Sequence, residues 1–531
     1  GLNLRIYAQS SRTNSVNVTI PEGENKVDYS VIVPGEDNYK IYYQVSNPNY
    51  VSSGYYSESG TVRTSSAADT VQLTQQAPVK SDINLTLIDN KIISGEVFIL
   101  DGVVSAGGLS VTVKAECGSD RVTKTVTIPE GGNFAEYELL VPPNAPGKGY
   151  LVSYQTSDKA YLGTAYYNKD GSVRYDTLAT LVDVSSNNKE GININLISKK
   201  KISGTVSLPK SVAPKNGVTV TLNAVSGSDK STETVTIPEG TSSVEYSLYV
   251  PEGTGYKVYY TTTNEAYFST GYYNNSGTVK DEKAATLIDT VSKDSENINV
   301  ELIANYTVSG TVSLPGIKAN ENIAVEVIVA SNSSKIKSTT VVIPAGGSEA
   351  SYSMYVPTGS GYNVSYKTKN SAYVEQGYYK EGSTVRYLSS ASLISVDNKD
   401  IDNINLTLIE KRTISGLLSM PSGKAPRGGI SFEVTAYNGS QQAKTTVTIE
   451  EGKDSVPYSI SVPADEGYII KCKLLTLQAI YMNEQYYSSG GTVYNVDSAS
   501  TVSTISGNQP NINIMLLEKR TVSGTLSFPS G

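Results

Sequence analysis

The chain has 531 residues, a formal net charge of −8, no histidine, no tryptophan and two cysteines. The acidic balance argues against nucleic-acid binding, which needs a basic face, and the lack of histidine excludes hydrolases that depend on a catalytic imidazole. No apolar run in this segment is long enough to cross a bilayer as a helix, and two distant cysteines cannot staple a disulfide scaffold.

Repeat 1 begins with GLNLRIYAQ, residues 1–9, which aligns with GVTVTLNAV at 217–225. A first-strand motif precedes residues 217–225, whereas residues 1–9 have none before them. The motif recurs as IISGEV, ISGTVSLP, TVSGTVSLP, TISGLLSMP and finally TVSGTLSFPSG, and its glycines are Gly95, Gly204, Gly310, Gly416 and Gly524. They are 109, 106, 106 and 108 residues apart. Such regular self-similarity indicates tandem modules.

The spacing predicts five β-sandwich repeats and a short remainder. Repeat 1, which lacks its first strand, covers 1–90, repeat 2 covers 91–200, repeat 3 covers 201–305, repeat 4 covers 306–411 and repeat 5 covers 412–519. Residues 520–531 hold a first-strand segment with no domain after it. A unit of about 107 residues matches a small sandwich domain with its own core.

Repeat 3 shows the strand pattern most clearly. Apolar and polar residues alternate in Val218–Val225, in Val244–Val250 and in Ile298–Leu302. Proline, glycine and asparagine separate seven or eight such segments, and no stretch has a helical period. We therefore predict an all-β chain of five tandem antiparallel sandwiches, Ig-like or transthyretin-like in class.

Two columns of polar side chains repeat with the strands. Tyrosine pairs follow a small residue or glutamine, and their two rings should point to opposite faces of a strand, so at most one of each pair enters a core. The outward ring could pack against the next domain or stack on a sugar. The pairs are Tyr55 and Tyr56, Tyr166 and Tyr167, Tyr272 and Tyr273, Tyr378 and Tyr379, Tyr486 and Tyr487.

The last strand of each repeat carries an asparagine between apolar residues. The side chain should therefore face away from the core, where it can bond a neighbouring backbone or meet water. The residues assigned to this column are Asn84, Asn195, Asn299, Asn405 and Asn513.

The order ISGTVSLP, GVTVTL, GYKVYY in repeat 3 resembles the carboxypeptidase-regulatory-like, transthyretin-related sandwich domains, which occur in tandem on bacterial surface proteins. The resemblance extends through the chain, repeat by repeat. It implies an extracellular or cell-surface location and a role as spacer, stalk or adhesive segment.

The two ends of the sequence are complementary in register. A sandwich without its first strand should have an open sheet edge, and open edges recruit strands. Five domains in a row would extend on the order of 150 Å or more, so we expect the terminal segment to complete another subunit unless the array closes into a ring. The predicted polymerisation strand comprises Thr521, Val522, Ser523, Gly524, Leu526 and Phe528. Alternatively, the sequence is a window on a longer uninterrupted array.

Little in the sequence suggests catalysis or a cofactor. The repeated acids, such as Glu22, lie in turns, and no acid pair stands in a unique insertion. The loops Lys293–Asn297 and Asp397–Asn403 offer oxygen ligands for calcium but lack EF-hand spacing. No lysine column accompanies the asparagines as a self-formed Lys–Asn cross-link would require. Cys117 and Cys472 are predicted to be unpaired thiols, with a bond between stacked chains as the alternative.

The predicted function is therefore mechanical, not enzymatic, with no cofactor and no bound metal. We expect a bacterial surface fibre of stacked sandwiches that self-associates head to tail. The alternatives are a surface adhesin stalk that binds a glycan or host receptor and a surface-layer lattice protein.

Overall fold

The computed structural model describes residues 1–35, 37–105, 107–209, 211–332, 334–439, 441–476 and 480–528. In these residues the regular structure consists of β-strands and one-turn 3-10 helices, which confirms the predicted all-β fold class. The chain divides into two compact units, one comprising Gly1–Thr261 and Thr270–Glu301 and the other Thr262–Ser269 and the chain from Leu302 onward. The five domain boundaries are finer than this division and stay predictions.

The first unit contains the strands of repeats 1 to 3, with 3-10 helices at Asp176–Leu178 and Glu282–Ala284. The strands are β1 (Leu2–Gln9), β2 (Thr13–Ile20), β3 (Asn38–Val45), β4 (Ser53–Tyr55), β5 (Thr70–Gln72), β6 (Lys91–Phe98), β7 (Leu109–Cys117), β8 (Asp120–Ile128), β9 (Phe134–Val141), β10 (Leu151–Gln155), β11 (Thr164–Tyr166), β12 (Ile194–Asn195), β13 (Lys200–Ser207), β14 (Val218–Ser226), β15 (Asp229–Ile237), β16 (Ser243–Val250), β17 (Tyr256–Thr261), β18 (Thr270–Tyr272), β19 (Leu287–Ile288) and β20 (Val300–Glu301).

The second unit contains the strands of repeats 4 and 5, with 3-10 helices at Leu388–Ser390 and Val496–Ser498. The strands are β21 (Asn305–Ser313), β22 (Ile323–Ser331), β23 (Ser334–Ile343), β24 (Glu349–Pro357), β25 (Gly359–Thr368), β26 (Gln376–Lys380), β27 (Ser383–Val385), β28 (Ile394–Val396), β29 (Leu406–Thr407), β30 (Lys411–Ser419), β31 (Ile430–Asn438), β32 (Gln441–Ile449), β33 (Ser455–Pro463), β34 (Ile469–Leu474), β35 (Glu484–Tyr486) and β36 (Ile514–Met515).

Repeats 2 to 5 each combine a larger and a smaller sheet. In repeat 2 the larger sheet has the order β11-β10-β7-β8 and the smaller one has the order β12-β6-β9. Apolar side chains of both sheets point into one core, including Ile93 and Val97 from β6 and Val111 and Val113 from β7, all with no exposed surface. This alternation of buried and exposed residues is what the sequence pattern predicts for strands with one buried face.

The first strand lies in the middle of the smaller sheet. In repeat 3, β13 pairs antiparallel with β16 on one side and parallel with β20 on the other. Repeats 2, 4 and 5 have the same order, with β6, β21 and β30 in the central position. The parallel pair departs from the purely antiparallel sandwich that the sequence predicted.

Repeat 1 has only the larger type of sheet, with the order β2-β1-β3-β4 and β5 beside β3. The segments that correspond to the outer strands of the smaller sheet, Val27–Val33 and Ile83–Leu87, form no strand. The prediction of one open edge is therefore wrong in its geometry. Because the missing strand is the central one, its absence leaves two backbones unpaired instead of exposing a single edge.

Candidate strand-binding groove in repeat 1

In repeats 2 to 5 the first strand fits between two backbones in a fixed register. In repeat 3, Gly204 lies opposite Tyr246 of β16, and Val206 lies beside Val300 of β20. Ile202 and Leu208, on the same face as Val206, are buried as well. The strand therefore contributes both backbone hydrogen bonds and three core side chains to its sheet.

The glycine of the motif is required by a close approach between two backbones. A Cβ atom on Gly204 would overlap the carbonyl group of Ile298, and one on Gly310 would overlap that of Ile404. Gly95 and Gly416 meet the last segments of their own repeats in the same way. Since the obstacle is backbone, it cannot move aside as a flexible side chain would.

A buried tyrosine on the antiparallel neighbour of the first strand donates its hydroxyl to that same carbonyl. Tyr246 donates to the carbonyl of Ile298 at 2.5 Å. Burial raises the pKa of this tyrosine strongly, with a smaller effect from nearby Tyr273, so the hydroxyl remains a donor. The equivalent donors in repeats 2, 4 and 5 are Tyr137, Tyr352 and Tyr458.

The repeated asparagine accepts a hydrogen bond from the first strand. Asn299 Oδ1 accepts from the backbone N–H of Thr205 at 2.9 Å, immediately after the motif glycine. In repeat 2 this position is held by Asn193, which accepts from Glu96, whereas Asn195 accepts from the N–H of Ser172 at 2.7 Å. The assignment of Asn195 to the column is thus wrong by two residues, because alternate asparagines in that strand share one face. Asn405 and Asn513 act as Asn299 does.

The acidic loops considered for calcium also bind the first strand. Asp294 Oδ1 accepts from the N–H of Lys201 at 2.8 Å, and Asp400 Oδ1 accepts from Thr307 at the same distance. Asn188 and Asn508 occupy the equivalent positions in repeats 2 and 5. Within the described residues no group of three acidic or cysteine side chains is placed to hold a metal ion.

In repeat 1 the walls of the groove are in place although the central strand is not. Tyr29 donates to the carbonyl of Ile83 at 2.5 Å, the same bond as between Tyr246 and Ile298. Burial, with a smaller effect from Tyr56, raises the pKa of Tyr29 to about 12. Two further bonds hold the last segment, from the N–H of Thr86 to Thr61 and from the N–H of Ile88 to the Tyr43 hydroxyl.

The apolar side chains of this groove are only half covered. Val31, Val33 and Leu85 are partly exposed, whereas their counterparts Leu248, Val250 and Val300 in repeat 3 have no exposed surface. The difference follows from the missing strand, whose side chains complete the core in repeat 3. We name the slot between Val27–Val33 and Ile83–Leu87 the open groove.

The terminal first-strand segment carries matching apolar side chains that contact nothing. Val522, Leu526 and Phe528 are 98%, 101% and 97% exposed. A Cβ atom on Gly524 would have no neighbour within 4 Å. Residues 529–531 of this predicted strand lie outside the described residues. Thr521 and Ser523, also assigned to the strand from the sequence, lie in the same exposed stretch, which has no regular secondary structure.

The starting point of this segment is fixed by repeat 5. The N–H of Lys519 donates to the carbonyl of Ile480 at 2.8 Å, and Glu518 is bridged to Tyr481. At the corresponding place in repeat 4, the N–H of Lys411 donates to the carbonyl of Ala372, also at 2.8 Å, and strand β30 begins there. The segment thus leaves repeat 5 from the point where another repeat would begin.

The tyrosine pairs divide between the strand and the core. The first ring of each pair belongs to a short outer strand, as Tyr166 does in β11, and the second ring, such as Tyr167 or Tyr487, packs against the core. Tyr55 stacks on Tyr42 at 5.0 Å between ring centroids. Tyr56 and Tyr379 likewise pack on the cores of their repeats. Tyr272 lies beside Tyr259. The remaining members of the pairs are also half-buried: Tyr273, Tyr378 and Tyr486.

Sequence reasoning missed a column of arginines that join successive repeats. Arg63 of repeat 1 binds Asp120 of repeat 2 at 2.5 Å and donates to the carbonyl of Pro143. In the second unit, Arg386 of repeat 4 binds Asp465 of repeat 5 at 3.2 Å. The detectable signal is a valine–arginine dipeptide after three of the five tyrosine pairs, at Arg63, Arg174 and Arg386.

Neither cysteine forms a disulfide. Cys472 is fully buried, and burial raises the pKa of its thiol to about 12, whereas Cys117 is partly exposed. Among the described residues there is no helix long and apolar enough to cross a membrane.

No protein-family model and no curated protein matches the chain. Among solved structures, a streptococcal ancillary pilin matches at 10% identity and a TM-score of 0.23, covering 58% of this chain and 99% of its own. A tip fimbrial protein from Porphyromonas gingivalis, with a C-terminal truncation, matches at 10% identity and 0.21, covering 48% and 99%. A pilus adhesin from Lactobacillus rhamnosus GG matches at 10% and 0.20, covering 82% and 57%. Likenesses this low assign neither a fold nor a function to this chain.

Proposed function

We propose that the protein is a structural subunit of an extracellular bacterial filament or surface fibre built from stacked β-sandwich repeats. The open groove of repeat 1 carries this proposal, because its two walls keep the hydrogen bonds found around a first strand elsewhere in the chain. The groove is filled either by the C-terminal strand of another copy or by a first strand from a continuous longer chain. Both arrangements give one uninterrupted stack of repeats.

Short, clamped connections between repeats support a mechanical role. Lys199 and Lys411, at the ends of repeats 2 and 4, are each bonded through their N–H to a loop of the same repeat, so no flexible linker precedes the next first strand. Within each compact unit, arginine ion pairs add a second link between neighbouring repeats. A stack joined at two points per junction resists bending better than one joined by a flexible linker.

Completion of the groove would stabilise repeat 1. Burying a valine, leucine or phenylalanine side chain is worth roughly 1.5–3 kcal/mol each, and the segment would also cover the half-exposed Val31, Val33 and Leu85. Backbone groups of both walls would gain partners, which reduces the tendency of open strands to pair non-specifically. The proposal assigns no catalytic step and no cofactor to the protein.

A surface adhesin is the second candidate, because repeat 1 carries an aromatic stack on the face opposite its core. Tyr7 stacks on Tyr42 with ring centroids 4.7 Å apart and an angle of 6° between the planes, and Arg5 lies 5.3 Å from the Tyr7 ring. These half-buried rings and the polar side chains beside them could contact a glycan or a host receptor. Loss of glycan or receptor binding in a Tyr7→Ala variant that still assembles would favour this candidate.

Electron microscopy of the purified protein and of the producing cells tests the main proposal. We expect uniform filaments with an axial repeat that corresponds to stacked sandwiches. A population of single rods at all protein concentrations, or planar crystals on the cell surface, would contradict it. Terminal-residue analysis of the native protein then separates donation between copies from a continuous chain.

A further inference from the structure

In repeats 2 to 5 the chain enters a repeat through its first strand and leaves it through the last segment, which is the parallel neighbour of that strand. We infer that this pair is a force-resisting device, which makes each of these repeats withstand unfolding when the chain is stretched. We name the first strand and the last segment of one repeat the strand clamp. The inference rests on the proposed function and deepens it, because it names the bonds that carry tension along a fibre.

The parallel direction of the pair decides how tension acts on it. In repeat 4, β21 pairs parallel with β29, and Val312 lies beside Leu406. The point where the chain enters β21 and the point where it leaves β29 therefore lie at opposite ends of the pair. Tension along the chain slides one strand past the other, and the hydrogen bonds between them are loaded together. If both points lay at the same end, the bonds would break one after another.

Backbone hydrogen bonds tie β21 to the last segment of repeat 4. The carbonyl of Thr307 accepts from the N–H of Ile401 at 2.8 Å, and the N–H of Ser309 donates to the carbonyl of Ile401 at 2.9 Å. The carbonyl of Ser309 then accepts from the N–H of Ile404 at 3.0 Å. These bonds lie across the direction of the strands, so sliding of the strands has to break them.

Two side chains of the last segment add acceptors for the same strand. Asp400 Oδ1 accepts from the N–H of Thr307 at 2.8 Å, and Asn405 Oδ1 accepts from the N–H of Thr311 at 2.9 Å. The alternate N–H groups of β21 at residues 307, 309 and 311 are thus all bonded to the last segment. The side-chain acceptors lengthen the set of bonds that share the load.

The motif glycine adds a steric stop against sliding. A Cβ atom on Gly310 would overlap the carbonyl of Ile404, and Tyr352 donates to that carbonyl at 2.6 Å. Val308 and Val312 lie two residues to either side of Gly310, on the same face of β21, and both are fully buried. A slip by two residues, the smallest that keeps the two faces of a strand in place, would bring a valine against the carbonyl.

The strand clamp has the same bonds in repeats 2, 3 and 5. The counterparts of the bond from Ile404 to Ser309 are Ile192 to Ser94, Ile298 to Ser203 and Ile512 to Ser415. The counterparts of Asn405 as acceptor are Asn193, Asn299 and Asn513. A stretched chain would therefore meet the same resistance in each of these repeats.

Stretching single molecules of the full chain by their two ends tests the strand clamp. Asn405→Ala removes the acceptor of the Thr311 N–H. Asn322→Ala is the matched control, because Asn322 Oδ1 accepts from the N–H of Ala345 at 2.9 Å, outside the strand clamp of the same repeat. Forced unfolding is governed by the unfolding rate. At constant force we expect one unfolding step to become about 2- to 10-fold faster in Asn405→Ala and no step to change in Asn322→Ala.

Urea unfolding of the same two variants separates resistance to force from ordinary stability. Both side chains are exposed and each accepts from one backbone N–H, so the two changes should lower the urea midpoint alike and leave the circular dichroism of the chain unchanged. Equal acceleration of the two variants under force, acceleration of the control alone, or none in either would overturn the inference.

The direction of pulling supplies a second test. Handles attached through Lys318→Cys and Thr407→Cys load the strand clamp of repeat 4 from one end, so its bonds are unzipped. Cys117→Ser removes the partly exposed native thiol, and Cys472 is fully buried. We expect this chain to unfold at a lower force between the two handles than when it is stretched by its ends. Equal forces in the two directions would contradict the strand clamp.

The outcomes also separate this inference from the proposed function. If both tests fail although electron microscopy shows filaments, the fibre stands and its repeats resist tension by other contacts. If both tests succeed and no filament is ever found, the strand clamp stands and the proposed function fails.

Discussion

Arg174 of repeat 2 forms a two-pronged ion pair with Asp229 of repeat 3, in which both terminal guanidinium nitrogens donate to the carboxylate. The ring of Tyr175 lies 5.2 Å from the guanidinium carbon, and Tyr256 directs its hydroxyl toward the same carboxylate at 3.4 Å. The pair is half-buried, so solvent screens it less than a fully exposed pair. It therefore fixes the orientation of two successive sandwiches in the first unit.

Replacing Arg174 by alanine should loosen this junction. We expect a loss of about 1 kcal/mol of unfolding free energy and faster amide exchange near Asp229, measured by hydrogen–deuterium exchange. Arg121→Ala is the matched control, because Arg121 pairs with Glu116 of its own repeat at 3.3 Å and is 61% exposed. Equal effects of the two variants would mean that the inter-repeat pair has no special role.

An internal motif glycine should tolerate no larger residue. Gly204→Ala places a Cβ atom against the carbonyl of Ile298, and we expect a cost of about 1–3 kcal/mol in urea unfolding. Gly163→Ala is the control, since the nearest atom to its added Cβ, the carbonyl oxygen of Thr156, is at an ordinary 3.6 Å. That change should be neutral or slightly stabilising. If the Gly204→Ala chain is as stable as wild type, close backbone contact is not the reason for glycine at this position.

The period and the strands could be read from the sequence because they depend on local alternation. The predicted strand Val218–Val225 is observed as Val218–Ser226. The central place of the first strand could not be read, because its partner Ile298 comes more than 90 residues later and a short parallel contact leaves no local pattern. The sequence shows that the motif repeats a glycine, but it does not show the close backbone contact that requires one.

The same limit applies to the site residues. Asn193 and Asn195 each stand between two apolar residues in the sequence, and the bond to Glu96 distinguishes them in the structure. The arginine column escaped notice because its partners vary in position, as Asp229 lies at the start of a hairpin strand and Asp465 in a different loop. The assignment of Val522 and Leu526 to a polymerisation strand rests on their spacing alone and stays a prediction.

The buried tyrosines should make the free energy of unfolding depend on pH only in the alkaline range. Burial raises the pKa of Tyr154 and of Tyr366 to about 12, although a backbone N–H of Ile197 or Ile409 lowers it in part. Unfolded tyrosine titrates near 10. Because the folded pKa is the higher one, the stabilisation is complete below pH 10 and is lost as the pH rises from 10 to 12.

Urea unfolding at pH 8, 10, 11 and 12 checks this dependence. With no histidine in the chain, we expect little change between about pH 6 and 9, then a decline of at most ~1.4 kcal/mol per pH unit for each buried tyrosine. Tyr366→Phe should make the alkaline decline of the second unit shallower. A decline that begins near neutral pH would point to other groups.

Cys472 and Gln485 form a coupled replacement of the tyrosine–glycine pair found in repeats 1, 3 and 4. Tyr366 pairs across the strands with Gly377, and its hydroxyl accepts from the N–H of Ile409 at 2.9 Å. In repeat 5, Cys472 takes the tyrosine position, and Gln485 takes the glycine position and accepts from the N–H of Leu517 at 2.8 Å. The glutamine thus supplies the acceptor that the cysteine cannot.

Restoring the usual pair should show strong coupling. Gln485→Gly alone leaves the N–H of Leu517 without its acceptor and should cost about 1–3 kcal/mol, and Cys472→Tyr alone forces a ring onto the glutamine. The double variant should be at least as stable as wild type, because Gln485 Nε2 is buried without a partner, with a coupling of about 1–3 kcal/mol.

The reverse exchange in repeat 4 is the matched control for this cycle. Tyr366→Cys with Gly377→Gln should be less damaging than Tyr366→Cys alone, since the new glutamine can accept from Ile409. Unfolding free energies from urea titration supply every corner of both cycles. If the single changes simply add in both repeats, the hydroxyl and the amide do not serve the same backbone N–H, and the resemblance between the two arrangements has no energetic meaning.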